Sequence, residues 1–556
     1  MTRELCQRAE SRAYIAGTIG SLGSEYVLGL KAVNCQSGDT LAQEQVTAAS
    51  KEKVLDAQGE AASKLRGELG ESLVTVQRFD VPLEEATTSS LEALKAYSLG
   101  EKARSEKGTP AALSYFQRAI ELDPNFAMGY NEVGFDYTAL GELERSRDYF
   151  AKAFQLREHA SEREKLTITA NYYLLLTGEL DKAAEAYQQG AESYPRQSAR
   201  AYRALGKMFA CEGQYEKATE ITRQAQRLAP DQVFFNLDLA AYALALQHFD
   251  ETRQIIQEAQ ARKLDDQGLH IDLYALAFVG SDAASMAEQL QSFAGLEEHV
   301  GLSLASDTEA YAGRLSKARE LTNQSVNSAI RADNKEVAAI WQEITAQREA
   351  AVGNLAEANQ RAVEGFKLYP ASQGVGAEAA LAFAMAGDTA RAESLVQSLN
   401  TRFPLDTQMQ ALWLPAIKAQ LVLNRKKPNE AISDLQAASG IEFAQISFVN
   451  NLSCLYHTYI RGEAYLAAGQ GKEAAAEFQR IIDHSGIVWN CWTGALAHLG
   501  VARANALQAR TSQGADADAA RVRALAAYKD FLTLWKDADP DIPILKEAKV
   551  EYAKLQ

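Results

Sequence analysis

Proline, cysteine, long apolar runs and a basic surplus are all scarce in this chain. Only 11 of 556 residues are Pro, and the text is rich in Ala, Leu, Glu and Gln nearly throughout. That composition favours helix over sheet or disorder. The five cysteines, Cys6, Cys35, Cys211, Cys454 and Cys491, form no CxxC pair. Their spacing suits neither a zinc site nor a disulfide framework, so they read as buried or incidental thiols. No apolar run approaches the roughly 20 residues that span a bilayer, and the opening "MTRELCQRAESR" lacks the apolar segment of a signal peptide. Taken alone, the chain is expected in the cytoplasm. Lys and Arg total 57 against 73 acidic residues, a net charge of -16. Such a field opposes non-specific binding to nucleic acid or an anionic membrane.

Motifs that carry chemistry are missing too. Gly17, Gly20 and Gly23 come nearest to a phosphate loop, but they lie in or between expected strands, carry no Lys-Ser/Thr and open no helix. The seven histidines are scattered and no HExxH occurs. Asp483 and His484 could be an acid-base pair, but they fall at a helix C-terminus, where His suits exposed carbonyls. Asp537, Asp539 and Asp541 lack the spacing and closing Glu of a calcium loop, and read as a solvated turn. No catalytic residue, metal ligand or cofactor is therefore expected.

What the sequence does contain is a repeated phrase. "GELERSRDYFAKAF" starts at Gly141 and "GELDKAAEAYQQGA" at Gly178. A Gly followed five residues later by Ala recurs at Gly178, Gly213, Gly313, Gly353, Gly387 and Gly469, while Gly141 is followed by Ser146. The gaps between these glycines, 37, 35, 100, 40, 34 and 82 residues, are near multiples of a mid-thirties period. Two weaker repeats are expected in the first long gap and one in the second, as in a solenoid. Amphipathic stretches flank each Gly, so the unit is helix, turn, helix. Gly fits where the first helix must end, because it takes a left-handed conformation without a Cβ penalty. The small residue lets the helices approach closely. Phe150, Tyr187 or Phe478 then fills the space toward the next pair. Pro124, Pro195, Pro230, Pro370 and Pro404 close units.

On these residues the chain resembles a tetratricopeptide repeat array. The resemblance is best over residues 89 to 230, in Leu99, Gly100, Ala112, Phe116, Ala119, Pro124, Tyr130, Gly134, Tyr137, Phe150 and Ala153. It departs at Arg157 to Lys165, and it is degenerate over 264 to 310. About ten repeats fit residues 91 to 556, and the expected fold is a mostly α, right-handed solenoid preceded by a small α+β domain.

Residues 1 to 80 differ. "AYIAGTIGSLGSEYVLGLKAVNCQSGDTLAQEQVTAAS" alternates apolar and polar residues between turn signals, predicting a small antiparallel sheet. Val54, Leu55, Ala61, Ala62, Leu65 and Leu69 would place a helix over it. The domain reads as incomplete, with no strand before "TRELCQRAESR". Residues 81 to 90 are a linker, within a stretch from 71 that contains Pro82 and a Thr/Ser cluster suited to capping the next helix. The segment resembles the TolB amino-terminal-like domain found before tetratricopeptide repeats in bacterial signalling proteins. Together with "YIRGEAYLAAGQGKEAAAEFQRIIDHSGI" and "LWKDADPDIPILKEAKVEYAKLQ", it looks like the C-terminal half of membrane-anchored bacterial serine/threonine kinases. That resemblance implies a kinase upstream and a place beyond the membrane. The Gly-rich loop, strand lysine, HRD and DFG of a kinase are absent from this sequence.

The expected role is a non-catalytic protein-interaction scaffold that docks a partner segment in a concave groove. Arg200, Arg203 and Lys207, at three- and four-residue spacing, would form a basic stripe for an acidic peptide, with i,i+4 pairing or solvation as the competing reading. Tyr456 and Tyr459 are a weaker groove candidate that competes with core packing. The rival roles are the sensory half of a receptor kinase and an enzyme. A pocket of clustered ionisable groups with shifted pKa values would favour the enzyme.

Overall fold

The computed structural model describes residues 2–8, 11–72, 87–194, 199–293 and 295–556. The expected linker, Pro82 included, falls mostly outside the described residues, as does Pro195. The chain divides into two compact units, residues 1–140 with 145–176, and 141–144 with 177–556.

The first unit opens with α1 (Thr2–Arg8) and three strands, β1 (Ala13–Leu22), β2 (Glu25–Asn34) and β3 (Thr40–Ala48), antiparallel in the order β1-β2-β3. Gly23, at φ +65°, makes the tight β1-β2 turn, a conformation open to Gly without strain. Period-two alternation sends Leu28, Val46 and Ala48 to one face, where they meet Val54, Ala57 and Ala61 of α2 (Val54–Glu68). Leu69 lies just past that helix and is exposed. Helices α3 (Leu91–Lys107), α4 (Thr109–Leu122), α5 (Ala127–Ala139), α6 (Leu143–Gln155) and α7 (Glu162–Asn171) follow. The Thr/Ser cluster supplies the cap of α3, since Ser90 Oγ accepts from Ala93 N at 3.2 Å. The divergent stretch after Arg157 resolves into a capping box, in which Ser161 and Glu164 satisfy each other's backbone amides.

The second unit is a succession of hairpins. These are α8 (Leu180–Ser193), α9 (Ala199–Cys211) with α10 (Tyr215–Leu228), α11 (Val233–Ala245) with α12 (Phe249–Ala261), and α13 (Gln267–Val279) with α14 (Ala283–Leu290). Next come α15 (Glu298–Tyr311) with α16 (Leu315–Arg331), α17 (Lys335–Ala351) with α18 (Leu355–Leu368), α19 (Gln373–Ala386) with α20 (Thr389–Arg402), and α21 (Leu414–Asn424) with α22 (Pro428–Asp434). The last are α23 (Tyr456–Ala467) with α24 (Gly471–Asp483), the short α25 (Ser485–Val488), α26 (Trp492–Thr511) with α27 (Gly514–Leu534), and α28 (Pro543–Leu555).

Every glycine of the repeated phrase has positive φ, between +72° at Gly178 and +96° at Gly353. The unmarked repeats make the same turn without Gly: Gln247 and Ser281 fill the first long gap, and Lys426 the second, all at positive φ. The small residues after the turns, Ala183, Ala218, Ala318, Ala358, Ala392 and Ala474, are fully buried. Phe478 shows why close approach matters. A Cβ on Gly462 of α23 would lie 2.8 Å from its ring, and one on Gly500 of α26 would lie 2.5 Å away. The ring is thus clamped between successive hairpins.

The hairpins also coil over their own earlier turns. Trp535 Nε1 donates to Tyr311 O at 2.9 Å, 224 residues away, and Tyr215 Oη donates to Phe443 O at 2.9 Å, 228 residues away. Asp539 N donates to Gly313 O at 3.0 Å, and Ile544 N to Val352 O at 3.2 Å. Inner helices α17 and α19 are consequently buried on all sides.

The reading of the cysteines as incidental thiols is corrected. Cys6 and Cys35 form a disulfide, as do Cys454 and Cys491, with Cα atoms 5.7 and 5.6 Å apart. Cys454 and Cys491 are 37 residues apart, close to one repeat, so stacking of adjacent units brings them together. Cys211 is a free thiol whose pKa burial pushes up to about 11, an unreactive setting.

Candidate interaction surface and buried cavity

Helix α9 carries the basic stripe at i, i+3 and i+7. Arg200 is exposed, and Lys207 keeps 45% of its side-chain surface. Arg203 is held inward: its Nε donates to Asp238 Oδ2 at 2.5 Å, its Nη2 to Oδ1 at 3.2 Å, and its guanidinium lies 4.5 Å from the centre of the Phe234 ring. Lys207 Nζ is 3.8 Å from the same carboxylate. Asp238 on α11 therefore serves as the hub that fixes the stripe, a charge the local spacing on α9 does not reveal.

Tyr456 and Tyr459 lie in the interior. Tyr456 packs between Trp413 and Trp492, with ring centroids 5.8 Å from each, and Tyr459 meets Phe478 at 5.5 Å and Trp492 at 5.1 Å. Asp483 and His484 do not face each other as acid and base. Asp483 Oδ1 accepts from Gln479, while His484 Nδ1 is 2.7 Å from Arg480 O and its ring stacks on Phe443. Asp539 Oδ2 accepts from Ser316 N at 2.7 Å and Ser316 Oγ at 2.9 Å, a cap for α16. Gly17 and Gly20 sit within β1, and among the described residues no His, Cys, Asp and Glu group is arranged to hold a metal ion.

Sequence reasoning missed the segment 441–455. It has neither helix nor strand, yet it is tied down on the inside of the coil. Gln445 N donates to Ala210 O at 2.9 Å, Gln408 Nε2 to Gln445 O at 2.8 Å, and Asn451 Nδ2 to Asn490 Oδ1 at 2.9 Å. Phe448 and Val449 pack on Trp341 and Val375 of the inner helices. The chain thus packs one of its own irregular segments against the inner helices α17 and α19.

Beneath this segment is a cavity of about 20 Å³, room for roughly one water molecule, lined by Glu378, Leu412, Trp413, Ala416, Ile446, Val449, Ser453, Cys454, Tyr456 and His457. Glu378 is completely buried. Burial lifts its carboxyl to about 8, against the opposing pull of donors Gln347 and Tyr456. Gln347 Nε2 donates to Glu378 Oε2, the Tyr456 hydroxyl hydrogen-bonds the same carboxyl, and His457 Nε2 has no hydrogen-bond partner. Burial lowers His457 to about 4, so both groups are neutral at pH 7. This is a pocket of ionisable groups with shifted pKa values, the feature named above as favouring an enzyme. Its Cys is oxidised, however, and Ser453 Oγ accepts from Leu455 N at 3.2 Å while His457 Nε2 is unpaired, so no nucleophile-base hydrogen bond forms in it.

Helical hairpins joined by left-handed turns and closed by small-residue contacts define a tetratricopeptide-type α-solenoid with a small sheet domain at its start. No protein-family model matches the chain. Anaphase-promoting complex subunit 3 of Schizosaccharomyces pombe is 26% identical over 160 residues, 29% of this chain; the match spans only 23% of that protein's length. Among solved structures, PilF of Pseudomonas aeruginosa is 15% identical, over 38% of this chain and 96% of its own, with a TM-score of 0.26. Yeast Tom70 is 12% identical, over 83% and 95%, with a TM-score of 0.32. Human IFIT1 is 14% identical, over 71% and 91%, with a TM-score of 0.34. Likenesses at these scores carry no inference about function.

Proposed function

We propose that the chain is a non-catalytic interaction scaffold that docks an acidic partner segment on α9. The observation that carries this reading is the Arg203–Asp238 pair. It fixes the middle of the stripe between the exposed Arg200 and the partly exposed Lys207, whose Nζ is also 3.8 Å from Asp238, on a chain of net charge -16. Surface charges of this kind set encounter rate and partner choice more than affinity. Binding of a fluorescein-labelled Asp/Glu-rich peptide, followed by polarisation, tests it. Arg200→Glu with Lys207→Glu should weaken binding about tenfold or more at low salt, and the effect should shrink as salt rises. Equal binding by both proteins would sink the proposal.

A second reading places the chain in an oxidising compartment, as the sensory half of a membrane-anchored kinase. Two disulfides among five cysteines favour it, because such bonds persist outside the reducing cytosol. If thiols are trapped in intact cells, this reading expects only Cys211 to be alkylated before reduction. Labelling of all five cysteines would place the chain in a reducing compartment.

A further inference from the structure

One edge of the small sheet has nothing to keep another strand away. β1 ends the order β1-β2-β3 and, among the described residues, pairs with β2 alone. Edge strands are normally blunted by charge, Pro or a bulge. The ten residues Ala13–Leu22 contain no charged side chain and no Pro, and their register against β2 is unbroken. Helix α2 packs on β2 and β3, and the same face of β1 is left bare. Ile15 and Ile19 lie opposite the buried Ala32 and Leu28, yet they stay 62% and 57% exposed.

The free edge also presents its backbone in a defined pattern. Gly23 and Ser24 form a two-residue turn, so Leu22 and Glu25 face each other as a hydrogen-bonded pair. At the far end Cys35 N donates to Arg12 O at 3.0 Å, which gives the even-numbered residues the same direction. The odd-numbered residues from Ala13 to Ser21 therefore aim their N–H and C=O groups away from β2. An antiparallel strand pair has two-fold symmetry, so such an edge can pair with its own copy. With Gly17 facing the second copy's Gly17, every outward-pointing group finds a partner, and Ile15 falls opposite the second copy's Ile19. Four isoleucines then meet on the face that α2 leaves uncovered.

Charges at the ends of the strand fit this register. Arg12 and Glu25 are exposed, and neither makes an ion pair among the described residues. Within one chain they sit about 33 Å apart, at opposite ends of the hairpin. In the paired arrangement Arg12 falls opposite the second copy's Leu22, whose neighbour on β2 is Glu25. That is two strand spacings, about 10 Å between backbones on one face, a gap that the two side chains can close. Symmetry makes the contact twice.

We propose that two copies of the chain join through β1, antiparallel about Gly17, into one six-stranded sheet. Sedimentation velocity of the full chain across a range of concentrations tests this. A reversible dimer of the 60.7 kDa chain is expected. Ile19→Lys, which adds the kind of charge that guards other edges, should weaken the dimer about tenfold or more. Arg12→Glu and Glu25→Arg should each weaken it about threefold or more, and the two together should restore it. Amide exchange of residues 13–22 should slow as concentration rises, for the odd-numbered amides only, since the even-numbered ones already bond to β2. A chain that stays monomeric at every concentration would overturn the proposal. So would a dimer that is indifferent to Ile19→Lys, or one whose β1 amides exchange as fast as the monomer's.

Discussion

Glu378 shows what one side chain does to the whole protein's pH response. Its carboxyl is raised from 4.5 to about 8, so between those values the folded chain keeps a proton that the unfolded chain has lost. Stability from this residue is full below about pH 4.5 and falls as pH rises toward 8. His299 and His457, lowered from 6.5 to about 4, act with opposite sign, and their contribution is lost as pH falls from 6.5 to 4. Glu378→Gln should therefore flatten the decline in denaturation midpoint between pH 6.5 and 8; an unchanged decline would show that Glu378 is ionised in the folded state. None of this was legible in the sequence. "GAEAALAFAMAG" reads as an apolar helix with a stray Glu, and the residues that desolvate it come from helices far away in the chain. The same holds for Arg203: its helical spacing was visible, and its partner Asp238, one repeat onward, was not.

At the scale of the element, the helix-turn-helix unit was legible because its signals are local. A left-handed turn selects Gly, a close helix crossing selects Ala, and both are a few residues apart. Where the turn uses Gln247, Ser281 or Lys426 the period vanishes from the text although the backbone is unchanged. The disulfide was hidden for a related reason: Cys454 and Cys491 meet only when neighbouring hairpins stack. That bond pins the 441–455 segment just before α23. Cys454→Ser with Cys491→Ser should lower stability by about 2–4 kcal/mol in chemical denaturation, the usual range for a cross-link of this loop length. Faster amide exchange should follow in 441–455, with α9 and α10 affected less. Uniform exchange changes across the unit would mean that the bond does not act locally.

At the scale of the molecule, an open repeat array contacts only its neighbours, and its stability is roughly a sum of local terms. The second unit departs from that rule, since the last helices bond to turns more than 220 residues earlier. Nothing in a repeating phrase encodes such a closure, which follows from the accumulated rotation of many hairpins. Deleting residues 535–556 should accelerate exchange at 311–314 and 352–354, whose carbonyls at Gly313 and Val352 lose their donors. Acceleration limited to α27 would argue against long-range support.

The coiling of late hairpins onto early ones also fixes the chain's history. As the polypeptide leaves the ribosome, the apolar faces of α17 and α19 that Phe448 and Val449 cover stay open until the 441–455 segment has been made. Evolution meets the same constraint: a simple array can gain or lose a unit freely, whereas an inserted hairpin here would slide every facing loop out of step.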